Sequence, residues 1–290
     1  MSSTDRHIIR YGTNVPVPDW ASRITSALNS LPPPEAFPSY RPEGPLSSHD
    51  VAQMIDHTLL TLTASEEEID MLCMEALEHD FRSVCVRLPW VSRCASIVLD
   101  STVRVCCVVG FHEGTQPTSR KVEEAQRAVS QGAQEIDMVI NFPLLKAPDV
   151  STSNEGVQRV FEDILSVRRS LPEAVLKCIL ETSQLTTAEI VAGCLAACEA
   201  GADFVKTSTG FNGRGASVSD VQVMRWITET YGEEAVDVKA SGGIGDATKM
   251  KAMVMAGAKR IGATKGLKIL ETMSKREARS ATVPANHDDY

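Results

Sequence analysis

The 290-residue chain contains no apolar stretch near the ~20 residues that a helix needs to cross a bilayer. Met1 to Arg10 holds no apolar signal core, and Asp5 speaks against a transit peptide. The cysteines form no Cys-x-x-Cys pair, and no Gly-x-Gly-x-x-Gly follows the first strand candidate. The histidines, His7, His49, His57, His79, His112 and His287, are scattered without a His-x-x-x-His spacing. Positive charge is in deficit, with 29 Lys and Arg against 38 Asp and Glu and a net charge of −9. These absences disfavour a membrane span, a dithiol motif, a dinucleotide fold and a clustered-histidine metal site. The charge balance argues against nucleic acid or an anionic membrane as partner, while a small anion in a locally positive pocket stays compatible.

What is present suits a globular protein. Hydrophobic residues make up 43%, enough for a sizeable core. Most of the eight cysteines lie inside apolar runs (Cys85, Cys106, Cys107, Cys178), where free cysteine acts as a small buried hydrophobe. The expectation is a reduced, cytoplasmic protein without a metal.

The first fifty residues differ from the rest. Asp19 to Leu31 fits a short helix, and Leu31 to Pro45 carries six prolines. We expect an N-terminal arm over 1–50 that packs on the main domain or joins a subunit contact. From Gln53 onward short apolar runs alternate with amphipathic stretches. Strands are predicted at Met54–Leu60, Ser83–Arg87, Val103–Gly110, Glu135–Asn141, Leu176–Glu181, Phe204–Thr209, Val236–Ala240 and Arg260–Ala263. Helices are predicted at Glu66–His79, Val91–Leu99, Ser119–Gln131, Gly156–Ser170, Ala188–Ala200, Ser217–Tyr231, Ala247–Ala256 and near Leu267–Arg279, with Ser65 and Thr187 as starts. Continuous β-branched runs suit strands covered on both faces. Eight such units predict a (β/α)8 TIM barrel over 51–279, with a doubly wound open sheet as runner-up, and a flexible tail over 280–290.

In such barrels the chemistry sits at the C-terminal ends of the strands. Asp56, Asp137, Glu181, Lys206 and Lys239 fall within or near the ends of predicted strands. A charged residue in a buried strand must be paired or be working. Lys206 and Lys239 occupy matching places in successive runs, each followed by glycine and hydroxyl residues. An ammonium beside another ammonium loses proton affinity, and a neutral amine attacks carbonyls. The pair points to Schiff-base chemistry.

Several motifs carry a more specific resemblance: Ser83-Val84-Cys85-Val86, Glu135-Ile136-Asp137-Met138-Val139-Ile140-Asn141, Leu180-Glu181-Thr182, Phe204-Val205-Lys206-Thr207-Ser208-Thr209-Gly210-Phe211 and Val238-Lys239-Ala240-Ser241-Gly242-Gly243-Ile244. In this order, over about residues 50 to 270, the chain resembles the deoxyribose-phosphate aldolases. The resemblance implies a class I aldolase without cofactor. Its reaction is reversible cleavage of 2-deoxyribose 5-phosphate to glyceraldehyde 3-phosphate and acetaldehyde, in deoxyribonucleotide catabolism. Lys206 matches the Schiff-base lysine, Lys239 the second lysine, and Asp137 the acid of the proton relay. The plainer alternatives are a snorkelling Lys206 and a structural Lys239–Asp137 ion pair. Asp56 matches a further site carboxylate, or else caps its strand end.

Gly210, Gly242, Gly243 and Thr264 fit the family's phosphate loops, but the usual arginine two residues after the second glycine is here Gly245. Lys265 either supplies the lost cation or is merely solvated. The third strand ends in Phe111-His112-Glu113-Gly114 where Phe-Pro-Leu-Gly is typical, and Arg87-Leu88-Pro89 replaces a usual Asn-Pro. Tyr290, the last residue, resembles a C-terminal tyrosine of some family members, which implies a role in protonating the enamine; the alternative is a disordered tail that happens to end in tyrosine. A homo-oligomer is expected. The competing readings are a class I aldolase for another aldehyde pair and an inactive barrel serving as a binding protein.

Overall fold

The computed structural model describes residues 18–40, 44, 46–146, 154–232 and 235–281, without the side chains of 154 and 274–281. The order of elements is α1 (Trp20–Ser30), α2 (Ser48–Ala52), β1 (Ile55–Thr58), α3 (Glu66–His79), β2 (Ser83–Val86), α4 (Val91–Ile97), β3 (Arg104–Val109) and α5 (Thr118–Ser130). It continues with β4 (Glu135–Val139), α6 (Asn154–Ser170), β5 (Val175–Ile179), α7 (Thr187–Glu199), β6 (Phe204–Lys206), α8 (Val218–Tyr231), β7 (Asp237–Ser241), α9 (Ala247–Met255), β8 (Ala258–Ala263) and α10 (Gly266–Ala281). All eight strands pair in parallel in sequence order, and β8 returns to β1 through Ile55 opposite Ile261, closing the barrel. The predicted barrel is therefore present, and the open-sheet alternative is excluded.

Local chemistry explains most boundaries. Ser65 accepts from the Glu68 amide while the Glu68 carboxylate accepts from Ser65 N–H, a capping box that starts α3. The start of α7 lies one residue earlier than predicted. Thr186, not Thr187, is the cap, because the reciprocal bonds with Glu189 require a spacing of three. Strand β6 is three residues long rather than six. Beyond Thr207 the chain leaves the ladder, and the Thr209 amide turns to the Glu181 carboxylate at 3.3 Å. Strand β1 is likewise shorter than Met54–Leu60.

The strands alternate between two environments. Outward residues such as Val84, Val86, Val105, Ile136 and Met138 join the large apolar core beneath the helices. Inside the barrel the apolar cluster is small: Leu60, Cys85, Cys106 and Val108, with Phe111 against it. The remaining interior is charged. Glu135 and Asp137, two residues apart in β4, share one face of that strand, and Lys177, Lys239 and Arg260 reach them from β5, β7 and β8. All eight cysteines are buried and free.

The described part of the N-terminal arm packs on the barrel. Trp20 is fully buried, its indole N–H donates to Gln158 Oε1 at 2.7 Å, and Arg23 pairs with Glu199 at 2.7 Å. Phe37 stands edge-on to Trp226 of α8, and Tyr40 N–H donates to Met255 O. No helix among the described residues is long and apolar enough to cross a membrane. Residues 282–290, including Tyr290, lie outside the described residues.

Two glycines bring the loops after β6 and β7 into backbone contact. A Cβ on Gly215 (φ +72°) would lie 2.4 Å from Gly242 O, and one on Gly242 (φ +87°) 2.8 Å from the Gly215 Cα. Both positions need a left-handed backbone and an absent side chain. Gly215→Ala should therefore lower unfolding stability by about 1–3 kcal/mol in urea titrations. Unchanged stability would mean that the two loops separate at no cost.

Candidate active site

Asp137 is the meeting point of the buried charges. Its Oδ2 accepts from Lys206 Nζ at 2.7 Å and Lys239 Nζ at 2.6 Å, and its Oδ1 from Lys177 Nζ at 2.8 Å. Strand register explains the convergence: Asp137 lies opposite Lys177 on β5, and Lys206 opposite Lys239 on β6 and β7. Lys239 also donates to Asp56. Arg260 ties Asp56 Oδ1 at 2.7 Å to Glu135 Oε1 at 2.8 Å, and Lys177 bonds Glu135 at 2.6 Å.

Charge at these sites follows from that pairing. Burial opposes ionisation of Asp137, yet Lys177, Lys206 and Lys239 hold its carboxyl well below the usual carboxylate range. For Asp56 burial is outweighed by Arg260, Lys239 and Lys177, so its pKa also falls. Burial disfavours the Lys239 ammonium, but Asp137 and Asp56 more than compensate and raise it above the ordinary lysine value. Lys206 and Lys239 thus meet across a shared carboxylate oxygen. Cys85, Cys106 and Asp137 place three potential ligand atoms within 4.8 Å. The three ammoniums around Asp137 make that cluster a poor host for a cation.

Above this floor opens a cavity of about 520 Å³. Lys206, Gly210, Gly242, Gly243, Thr264 and Lys265 all line it. Asp56, Asp137 and Lys239 are fully buried beneath. Lys206 is therefore the junction between the ionic floor and the open space. The Lys265 stem passes over Gly245, its Cδ 3.4 Å from where a Cβ would stand. A second ammonium, that of Lys249, lies 3.2 Å from the corresponding point on Gly243. The glycine loop is thus flanked by two lysines where the resemblance leads one to expect an arginine.

On the rim, Glu181 adopts a left-handed backbone (φ 59°) at the end of β5. Its carboxylate accepts from Thr209 Oγ1 at 2.5 Å, the Thr209 amide, and Asn212 Nδ2 at 3.2 Å. Burial raises its pKa, and these hydrogen bonds only partly oppose that. Glu181 thereby anchors the loop after β6.

Sequence reasoning missed Glu135, Lys177, Arg260 and Lys249 as parts of this region. The signal for Lys177 was present, because it too is a lysine inside a strand-like run, Val175–Ile179. Glu135 shares the inward face of Asp137 by the period of two. Nothing local distinguishes Lys249 from a solvated helix lysine.

The fold and site can now be set beside known proteins. The family model described as DeoC/LacD family aldolase matches residues 50–272. A deoxyribose-phosphate aldolase of Coccidioides immitis (strain RS) is 48% identical over 239 residues, covering 82% of this chain and 86% of that protein. One from Thermoanaerobacter sp. (strain X514) is 46% identical over 227 residues, covering 78% and 98%. A crystal structure from Coccidioides immitis superposes with a TM-score of 0.82 at 44% identity, over 91% of this chain and 100% of that one. A tetrameric deoxyribose phosphate aldolase from Aeropyrum pernix gives a TM-score of 0.72 at 28% identity, over 89% and 100%.

Lys177 tests whether the floor is held by pairing. Lys177→Met leaves Glu135 and Asp137 short of one cation and should cost about 3–5 kcal/mol of unfolding free energy in urea. A loss under about 1 kcal/mol would show that Arg260 and Lys239 suffice. The pH dependence has a definite sign. Asp56 and Asp137 have folded-state values below their ordinary 3.8. Their contribution is fully present above that pH and is lost as pH falls through the lower folded-state values. Calorimetric titration from pH 7 downward should show no loss from these two groups before the ordinary carboxylate range is reached.

Proposed function

The chain belongs to the DeoC/LacD family of aldolases, and from that premise we propose how its residues carry out the reversible cleavage of 2-deoxy-D-ribose 5-phosphate to D-glyceraldehyde 3-phosphate and acetaldehyde. The observation that supports this reading best is that Lys206, of the lysines bonded to Asp137, lines the cavity. The ion-paired floor contains three carboxylates (Asp56, Glu135, Asp137) and four cations (Lys177, Lys206, Lys239, Arg260). Of that set, Lys206 is the amine that faces the open space, where a carbonyl carbon can reach it.

In this reading neutral Lys206 Nζ attacks C1 of the open-chain sugar, and the carbinolamine loses water to give an iminium. The C3 hydroxyl then gives up its proton and the C2–C3 bond breaks. Its electron pair moves into the iminium as an enamine, and glyceraldehyde 3-phosphate departs. Protonation of the enamine at C2 and hydrolysis release acetaldehyde and restore Lys206. Asp137 and Lys239 are the groups through which protons pass to and from Lys206 and its adduct, since both bond at one carboxylate oxygen. Asp56 serves this relay from below by fixing Lys239. The phosphate lies against the amides of Gly210, Gly242 and Gly243 and near Thr264, with Lys265 supplying the charge that arginine provides elsewhere in the family. The tetrameric relative supports a homo-oligomeric assembly. A protonation step through Tyr290 remains a proposal resting on sequence, because that residue lies outside the described ones.

Borohydride reduction with acetaldehyde should place the adduct on Lys206 by peptide mass spectrometry. An adduct on Lys239 or Lys177 would sink the assignment. Lys239→Leu leaves Asp137 Oδ2 to Lys206 alone and removes a proton carrier, so turnover should fall by about two to four orders of magnitude with the fold retained. Near-normal turnover would make Lys239 structural. Lys265→Ala should weaken 2-deoxyribose 5-phosphate about ten- to a hundredfold, the worth of a charge-assisted contact, while unphosphorylated 2-deoxyribose is little affected. Equal losses for both sugars would reject the compensation.

A further inference from the structure

The third-strand loop departs from the family pattern at His112, and the structure gives that departure a place. Phe111 and His112 follow β3, whereas Phe211 follows β6, so the two loops come from non-adjacent strands. The His112 imidazole lies flat on the Phe211 ring, with centroids 5.2 Å apart and planes at 14°. Phe111 meets Phe211 edge-on at 5.2 Å and 86°, and the Arg87 guanidinium sits 4.9 Å over Phe111. Asn212 Nδ2 bridges the loops by donating to His112 O at 3.3 Å and Glu181 Oε2 at 3.2 Å.

Phe211 lines the same cavity as Lys206 yet remains 49% exposed. Its backbone is held, the Phe211 N–H donating to Thr209 Oγ1 at 3.1 Å, but that bond leaves the ring's own side-chain torsions free. The orientation of this wall therefore depends on what packs behind it. Offset stacked and edge-to-face aromatic pairs add to the apolar contact and set a preferred geometry.

We propose that His112 is a positioning residue: by stacking on Phe211 it fixes the wall that covers the three-carbon, phosphorylated part of the sugar. This rests on the aldolase reading above. Acetaldehyde, two carbons long, reaches the floor at Lys206 without needing that wall. His112 thus acts on binding of the long substrate and not on formation of the imine.

The test combines His112→Ala, His112→Phe, Phe211→Ala and the double variant Phe211→Ala/His112→Ala, each with its thermal unfolding recorded. H112A should raise KM for 2-deoxyribose 5-phosphate about two- to tenfold, the worth of one aromatic pair, with kcat within about twofold. Borohydride trapping of acetaldehyde on Lys206 should be unchanged. H112F, which keeps a stacking face, should restore KM. F211A should raise KM by at least as much, and adding H112A to it should bring no further loss, since both act through one contact. A wild-type KM in H112A, failure of H112F to rescue, full additivity in the double variant, or an equal loss in acetaldehyde trapping would each overturn the inference. Wild-type protein that forms the Lys206 adduct with acetaldehyde but leaves the sugar phosphate intact would overturn the assigned substrate instead, and this wall with it.

Discussion

One buried carboxylate holds the site together. Asp137 sits fully inside the barrel, where an isolated anion would be prohibitively unfavourable, and it is ionised because three lysines reach it from three other strands. The buried ammoniums of Lys177 and Lys239 are in turn tolerable only because of Asp137 and its neighbours Asp56 and Glu135. The network is mutual, so loss of one member exposes the rest. Such networks are poor stabilisers compared with apolar packing, whereas breaking them is costly. The expense is offset by the large apolar core between the barrel wall and the helices, which leaves the interior free for charge.

The arrangement also separates functions by depth. The floor is ionic, buried and pinned from β1, β4, β5, β6, β7 and β8. The cavity above is lined largely by glycine and hydroxyl residues at the strand ends, with Leu60, Phe211 and Lys265 among them. Lys206 belongs to both levels. Its partner Lys239 is wholly buried, which agrees with the proton-carrying role proposed for it.

The loops that shape the cavity are braced against one another. Gly215 and Gly242 permit backbone contact between the loops after β6 and β7. Glu181, strained into a left-handed conformation, ties down Thr209 and Asn212. The ring of His112 meets that of Phe211 from across the barrel.

Much of this was legible in the residues. The eight strand and helix units follow from hydrophobic period and caps, which are local properties, and Lys206, Lys239 and Asp137 stand out because charge inside a buried strand is rare. Element ends were less legible: β6 stops at Lys206 because Glu181, more than twenty residues earlier, captures the Thr209 amide. Alternation, built into the extended backbone, already puts Glu135 and Asp137 on one face of β4. Folding of the whole barrel sets which oxygen of Asp137 serves which lysine, brings in Lys177, Glu135 and Arg260 to complete the floor, puts Asp56 beneath the cavity and not in its wall, and carries Lys249 to the glycine loop. Those facts depend on strand register and barrel closure, which bring together side chains as far apart in the chain as Asp56 and Arg260. No local pattern encodes that distance.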